Sequence, residues 1–192
     1  MYSQNKEEEV LANATYFIKE GYVLDIGAND GQTLSNSRAL IERGWHGCMI
    51  EPDYEAFSKL AALYRDNKNI RLVQAAVDTE GGMAQLHKSS EMGLVSSLLE
   101  TVNKEKFIHD YWVPKITPSQ VIDILPKGPD VITIDIEGRS FDVLTKFPFG
   151  SWIVRAICVE HDNRAVEVAA WGNSIGYRTV ELNAENIIMV RR

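Results

Sequence analysis

The chain has 192 residues and a mass of 21.6 kDa, about the size of one large domain. It is 45% apolar and 24% charged with a formal charge of −7, which excludes a largely disordered chain and any overall positive field for nucleic acid or an anionic membrane. No apolar run approaches the roughly 18 residues of a membrane span, and the opening MYSQNKEEEV lacks the layout of a signal peptide, so a cytoplasmic protein with a small-molecule partner is expected.

In chain order, residues 5–20 carry Val10, Ala14, Phe17 and Ile18 at helical spacing and stop at Gly21, which predicts an amphipathic helix. Residues 22–27 read as a strand, and 33–43 as a helix through Leu34, Leu40 and Ile41. A second strand spans 47–52, and the following helix shares Phe57, Leu60, Ala61 and Tyr64 on one face. The run IRLVQAAV, 70–77, reads as a third strand. Helices long enough to cross over imply parallel pairing. Further strands are predicted at 131–136 and 156–160, with helices at 141–147 and 165–175. Residues 178–183 and 186–191 are separated only by Ala184 and Glu185, too little for a crossover, so they form an antiparallel hairpin. The expected fold is α/β: a doubly wound, mostly parallel seven-stranded sheet ending in that hairpin.

Residues 1–192 read as one domain, with 1–21 an N-terminal helix and 78–130 an insertion on the substrate side. In the insertion Gly81-Gly82 signals a turn, Tyr111-Trp112-Val113 an extra strand, and Thr117-Pro118 the start of a short helix. Met92, His109, Tyr111 and Trp112 could supply an apolar substrate wall, although core plugs are the commoner use of such residues. Cys48 and Cys158 lie in apolar runs and read as buried strand thiols.

Ligands of an open parallel sheet bind beyond the carboxyl ends of its strands. The segment Asp25-Ile26-Gly27-Ala28-Asn29-Asp30-Gly31 sits there but is not G-x-G-x-x-G, and no P-loop lysine follows. Its two aspartates, Asp25 and Asp30, favour a ligand with a cationic end. Glu51 closes the second strand, where a carboxylate can accept the two ribose hydroxyls of an adenosine. Loop and acid together point to an adenosyl ligand.

The ordered blocks VLDIGANDGQT, IEPDYEAFSKL, VQAAVDTEGG, VITIDIEGRSFDVL, ICVEH and GYRTVELNAENIIMV resemble the FkbM family of S-adenosylmethionine-dependent methyltransferases. The resemblance covers residues 22–192 and implies the Rossmann-like class I methyltransferase fold. Carried onto this chain, it implies that Asp25, Gly27, Ala28, Asn29 and Gly31 line the methionine end of the cofactor. Glu51 would hold the ribose, with Pro52 and Asp53 beside the adenine, Ala76 at its other edge and Asp135 next to the methyl. Many relatives carry Lys where this chain has Thr133, a departure that touches packing or a nearby charge more than cofactor binding.

Methyl transfer to a hydroxyl requires removal of its proton, and Asp135, Glu137 and His161 are the candidates for that role. The residues Asp135, Glu137, Glu160, His161 and Asp162 also offer metal-ligand chemistry. A solvated acidic rim is the favoured reading of them, ahead of a divalent cation, so no metal ligands are assigned. The expected activity is O-methylation of a small metabolite or glycan hydroxyl, with no nucleic-acid or membrane partner and with room for a homo-oligomer. The alternatives are a non-catalytic cofactor-binding scaffold and, behind it, a nicotinamide-dependent oxidoreductase.

Overall fold

The protein is described by a computed structural model over residues 2–89, 96–98 and 107–192. Helix α1 (Glu7–Ala14) precedes β1 (Tyr22–Ile26), α2 (Arg38–Glu42), β2 (His46–Ile50), α3 (Tyr54–Leu63) and β3 (Ile70–Val73). Then come β4 (Ala76–Val77), β5 (Gly82–Ser89), β6 (Ser96–Ser97), β7 (Phe107–Ile116) and α4 (Pro118–Ile124). The chain continues through β8 (Val131–Ile134), α5 (Ser140–Leu144), β9 (Ala156–Glu160), α6 (Ala165–Ser174), β10 (Tyr177–Leu182) and β11 (Asn186–Arg191).

The main sheet has seven strands in the order β10-β11-β9-β8-β1-β2-β3, with β11 antiparallel to both of its neighbours, as the hairpin reading requires. Strand order reverses at β1, which pairs in parallel with β2 on one side and β8 on the other. A ligand crevice therefore opens at the carboxyl ends of β1 and β8.

The central strands are buried on both faces, and alternation sorts their side chains between two cores. Leu24, Ile26, Ile132, Ile134, Ile157 and Val159 pack with Val121, Phe141 and Val168 of α4, α5 and α6. Val23, Met49, Val131, Cys158 and Ile188 pack on the other face with Leu11, Leu40 and Leu60 of α1, α2 and α3. Each such fully buried aliphatic side chain stabilises the fold by about 1.5–3 kcal/mol. Cys48 and Cys158 are buried strand thiols.

Three elements depart from the sequence reading. The apolar run 70–77 is two strands: β3 extends the main sheet, whereas β4 pairs in parallel with Lys115 and Ile116 in a second sheet of order β4-β7-β5-β6. Gln74 falls at the break, but one polar residue in a short, mostly apolar segment does not distinguish a strand end from an exposed strand position. The helix predicted over 33–43 begins only at Arg38. Asp30 accepts the amides of Gln32 and Thr33 and the Thr33 hydroxyl, and Leu34 is left-handed at φ 55°, so a polar turn takes the residues preceding it. Helix α1 stops at Ala14, where Thr15 donates its hydroxyl back to the Leu11 carbonyl and is followed by the weak helix formers Tyr16 and Phe17. Phe17 is consequently exposed rather than on a buried helical face.

The insertion contains the expected extra strand, lengthened to the whole of β7, and α4 starts with a complete capping box between Thr117 and Gln120. Among the described residues, no helix is long and apolar enough to cross a membrane.

Candidate functional site

A cleft of about 270 Å³ opens over the carboxyl ends of β1, β2, β8 and β9. Parity within the strands builds its floor. Asp25, Thr133, Asp135 and Glu160 share the phase of Val23, Val131 and Cys158, so they extend the α1–α3 face toward the strand ends. Asn186 shares the phase of Ile188 and is the register partner of Glu160. Polar side chains thus lie side by side across β1, β8, β9 and β11.

Gly27 brings the β1 and β8 loops together. Its φ is +83°, and a Cβ there would lie 1.8 Å from the Asp135 carbonyl oxygen, so only glycine permits the approach. Asn29 follows in the left-handed region at φ 49°, which turns its amide onto Glu51. Glu51 Oε2 accepts the Asn29 amide and Oε1 accepts the Asp53 amide, each at 2.8 Å. A carboxylate oxygen can accept two bonds, so each retains capacity for another donor in the cleft. Burial pushes the Glu51 carboxyl up to about 7 despite these two amides.

Asp25 is buried between two hydroxyls. Ser37 donates to Oδ2 at 2.5 Å and Thr133 to Oδ1 at 2.6 Å, while burial raises its pKa against both bonds. Thr133 therefore serves Asp25 directly, which gives a physical use to the position where the chain departs from the FkbM-like pattern.

The β8–α5 loop carries the acidic centre. Glu137 and Gly138 are both left-handed, at φ 53° and 96°, and their successive amides face the β9 loop. Glu137 donates to Glu160 at 3.1 Å and Gly138 to Asp162 at 2.8 Å, so the two loops are clamped together. Ser140 adds a hydroxyl to Glu160 at 3.2 Å. Ligand oxygens of Asp135, Glu137 and Glu160 all lie within 4.8 Å of one another. Asp135 is open to the cleft, yet the surrounding walls desolvate it and raise its pKa; Glu160 is raised by burial and by the neighbouring Asp135. Glu137 is pushed up to about 7, first by burial and then by the charges of Asp135 and Asp162.

Of the residues singled out from sequence, Asp25, Gly27, Ala28, Asn29, Glu51, Pro52, Ala76, Asp135 and Glu137 line this cleft. Three others have different positions. Gly31 lies against α3, where a Cβ would meet Leu60 at 2.5 Å. Asp53 caps α3 through the Glu55 and Ala56 amides and is held by Lys88 at 3.1 Å and the Tyr111 hydroxyl at 2.7 Å, so its carboxylate turns away from the cleft. His161 sits at the hairpin: Nδ1 lies 3.2 Å from the Asn163 amide and Nε2 3.2 Å from the Asn183 carbonyl. Both ring nitrogens are engaged by backbone, the first as acceptor and the second as donor, so His161 ties a turn instead of facing an acceptor.

The insertion does wall the cleft, but through Leu86 and Leu98. Trp112 is 67% exposed and Tyr111 packs beside Leu86 and Val113, so neither forms the apolar wall considered above. Met92 and the His109 side chain lie outside the described residues. The site also includes Arg139, Glu185 and Asn186, which pattern reading did not single out. Arg139 pairs with Asp78 at 2.9 Å and touches Thr79 at 3.1 Å. Asn186 opens an ordinary hairpin strand, and only the register across β9 reveals its proximity to Glu160.

Residues 25–179 match the methyltransferase FkbM domain family. No curated protein matches the chain. Among solved structures, the chain is similar to a putative RNA methyltransferase from Pyrococcus horikoshii, at 11% identity and a TM-score of 0.55 over 96% of this chain and 82% of that one. It is similar to a putative methyltransferase from Escherichia coli, at 13% identity and a TM-score of 0.53 over 99% and 87% of the two chains. A precorrin-6y C5,15-methyltransferase from Geobacter metallireducens shares 11% identity with a TM-score of 0.52 over 99% and 94%. At these identities the structural likeness concerns the fold.

Proposed function

Because the chain belongs to the FkbM methyltransferase family, whose members use S-adenosylmethionine, we propose that it methylates a hydroxyl group of a small metabolite or glycan in the cleft above β1 and β8. The observation that carries this reading is the placement of Glu51, anchored by the Asn29 and Asp53 amides at one end of the cleft, with Asp135 on its floor. That arrangement fits an adenosyl group: Glu51 can accept ribose hydroxyls, while Ala76, Leu86 and Leu98 offer an apolar wall for the base.

When bound, S-adenosylmethionine supplies a methyl group on a cationic sulfonium, whose carbon–sulfur bond breaks with its electron pair left on sulfur as the acceptor takes the methyl. The chain's own residues suit that charge. Six carboxylates line the described part of the cleft (Asp25, Glu51, Asp135, Glu137, Glu160 and Glu185), against Arg139 alone, which shares Asp78 with Lys115. In this reading Asp135 or Glu137 would receive the hydroxyl proton as the new oxygen–carbon bond forms. His161, bound into its turn, is left to hold the hairpin. The acidity of the cleft disfavours a polyanionic acceptor, which supports a neutral polyol or glycan over RNA.

The test is mass spectrometry of ligands retained by the native protein, followed by transfer of radiolabelled methyl from S-adenosylmethionine to glycans, amines and RNA. Retained S-adenosylmethionine or S-adenosylhomocysteine and labelling of a hydroxyl acceptor are expected. Labelling of RNA or an amine would overturn the acceptor class. Cofactor binding without transfer to any acceptor would favour a scaffold, and retention of a nicotinamide cofactor alone would overturn the reading.

A further inference from the structure

Across neighbouring strands the register sets three oxygen-bearing side chains in one row. Ile134 pairs with Val159, so the next residues, Asp135 and Glu160, come level at the strand ends; Asn186 is the register partner of Glu160 on the far side. Glu137 joins them through its left-handed turn. The three carboxylates bring ligand atoms within 4.8 Å of one another. Oxygens around one hard cation, with bonds of roughly 2.0–2.6 Å, are separated by no more than about 4–5 Å.

A second, independent feature points to the same place. Asn186 is only 4% exposed and lines the cleft. Its Nδ2 donates to Glu7 at 3.1 Å, but Oδ1 has no partner among the described residues. A buried amide oxygen without a donor is costly, and on the register partner of Glu160, in the cleft that the three carboxylates line, it is also a good ligand for a hard cation. The cleft's own cation, Arg139, is drawn toward Asp78 and Thr79, which its Nη2 contacts. The donor set is all oxygen, because the His161 ring is occupied by its turn.

We propose that Asp135, Glu137, Glu160 and the Asn186 amide oxygen bind a divalent cation of the magnesium or manganese class. This departs from the solvated-rim expectation drawn from sequence, which had no access to the orphaned amide or to the β9–β11 register. The purpose of the ion rests on the proposed hydroxyl methylation: it would hold the acceptor oxygen and ease loss of its proton beside Asp135. Its binding does not depend on that reading.

The experiment titrates Mn²⁺ into the full chain, following free Mn²⁺ by electron paramagnetic resonance, with and without S-adenosylhomocysteine. One saturable ion per chain is expected in both conditions. Glu137→Gln and Glu160→Gln should each weaken it by ~10-fold or more, while Asp142→Asn, on the exposed side of α5 and paired with Arg164, should leave it unchanged. S-adenosylhomocysteine binding in the presence of chelator, together with circular dichroism, establishes that each variant is folded. Absence of Mn²⁺ binding, equal binding by all the variants, or displacement of the ion by S-adenosylhomocysteine would overturn the proposal. If Mn²⁺ binds as expected but S-adenosylhomocysteine does not bind at all, the metal site stands and the adenosyl-cofactor assignment of the cleft falls.

Discussion

The Thr133 hydroxyl donates to the Asp25 carboxylate at 2.6 Å across the β1–β8 pair, directly beneath the cleft. Ser37 supplies the only other hydrogen bond described to that buried acid. Thr133→Val keeps the shape and removes the donor, so it should destabilise the protein by about 1–3 kcal/mol in urea denaturation. Thr133→Ser should recover most of the loss. Equal stability of the valine variant and the wild type would show that Asp25 does not depend on this bond.

Glu51 ties cofactor binding to pH. Its carboxyl is held near 7 by burial, and the ribose hydroxyls favour the ionised form. Affinity for S-adenosylhomocysteine should therefore rise between pH 6 and pH 8, with a proton released on binding below pH 7. Glu51→Gln should weaken binding by roughly 10–100-fold and flatten the pH dependence, as read by calorimetry in buffers of different ionisation enthalpy. A wild-type affinity that is constant over this range would contradict the role given to Glu51.

Gly27 and Gly44 have similar backbone conformations but different surroundings, at φ +83° and +89°. A Cβ at Gly27 meets the Asp135 backbone, whereas nothing lies within 4 Å at Gly44. Gly44→Ala should cost only about 1–2 kcal/mol, the strain of a left-handed alanine. Gly27→Ala must also part the β1 and β8 loops, so it should cost at least ~2 kcal/mol more, by chemical denaturation, and abolish cofactor binding.

His161 binds backbone on both ring nitrogens, which makes it a fastener of the β9–hairpin turn. His161→Ala should lower stability by about 1–2 kcal/mol and leave the pH profile of methyl transfer unchanged. A pH profile altered by this substitution would restore it as the base.

Much of this was legible from residue order. Short apolar runs at 22–27, 131–136 and 156–160 marked the buried strands, and the two-residue link at Ala184-Glu185 required the terminal hairpin. The cleft acids Asp25, Glu51, Asp135 and Glu137 were legible because strand ends are where such sheets bind ligands. What escaped was set by long-range pairing. The division of 70–77 depends on β7, some 40 residues later, and Asp53 is withdrawn by Lys88 and Tyr111 of the insertion. Asn186 becomes meaningful only through its register with Glu160. His161 follows the right strand, but the backbone turn that claims its ring leaves no periodic signature.

A crystal structure of the complex with S-adenosylhomocysteine tests the central claim most directly. The ribose hydroxyls should lie within hydrogen-bonding distance of Glu51, with the base against Ala76 and Leu86 and the sulfur facing Asp135. A nucleoside bound away from Glu51, or a sulfur directed away from Asp135, would contradict the account.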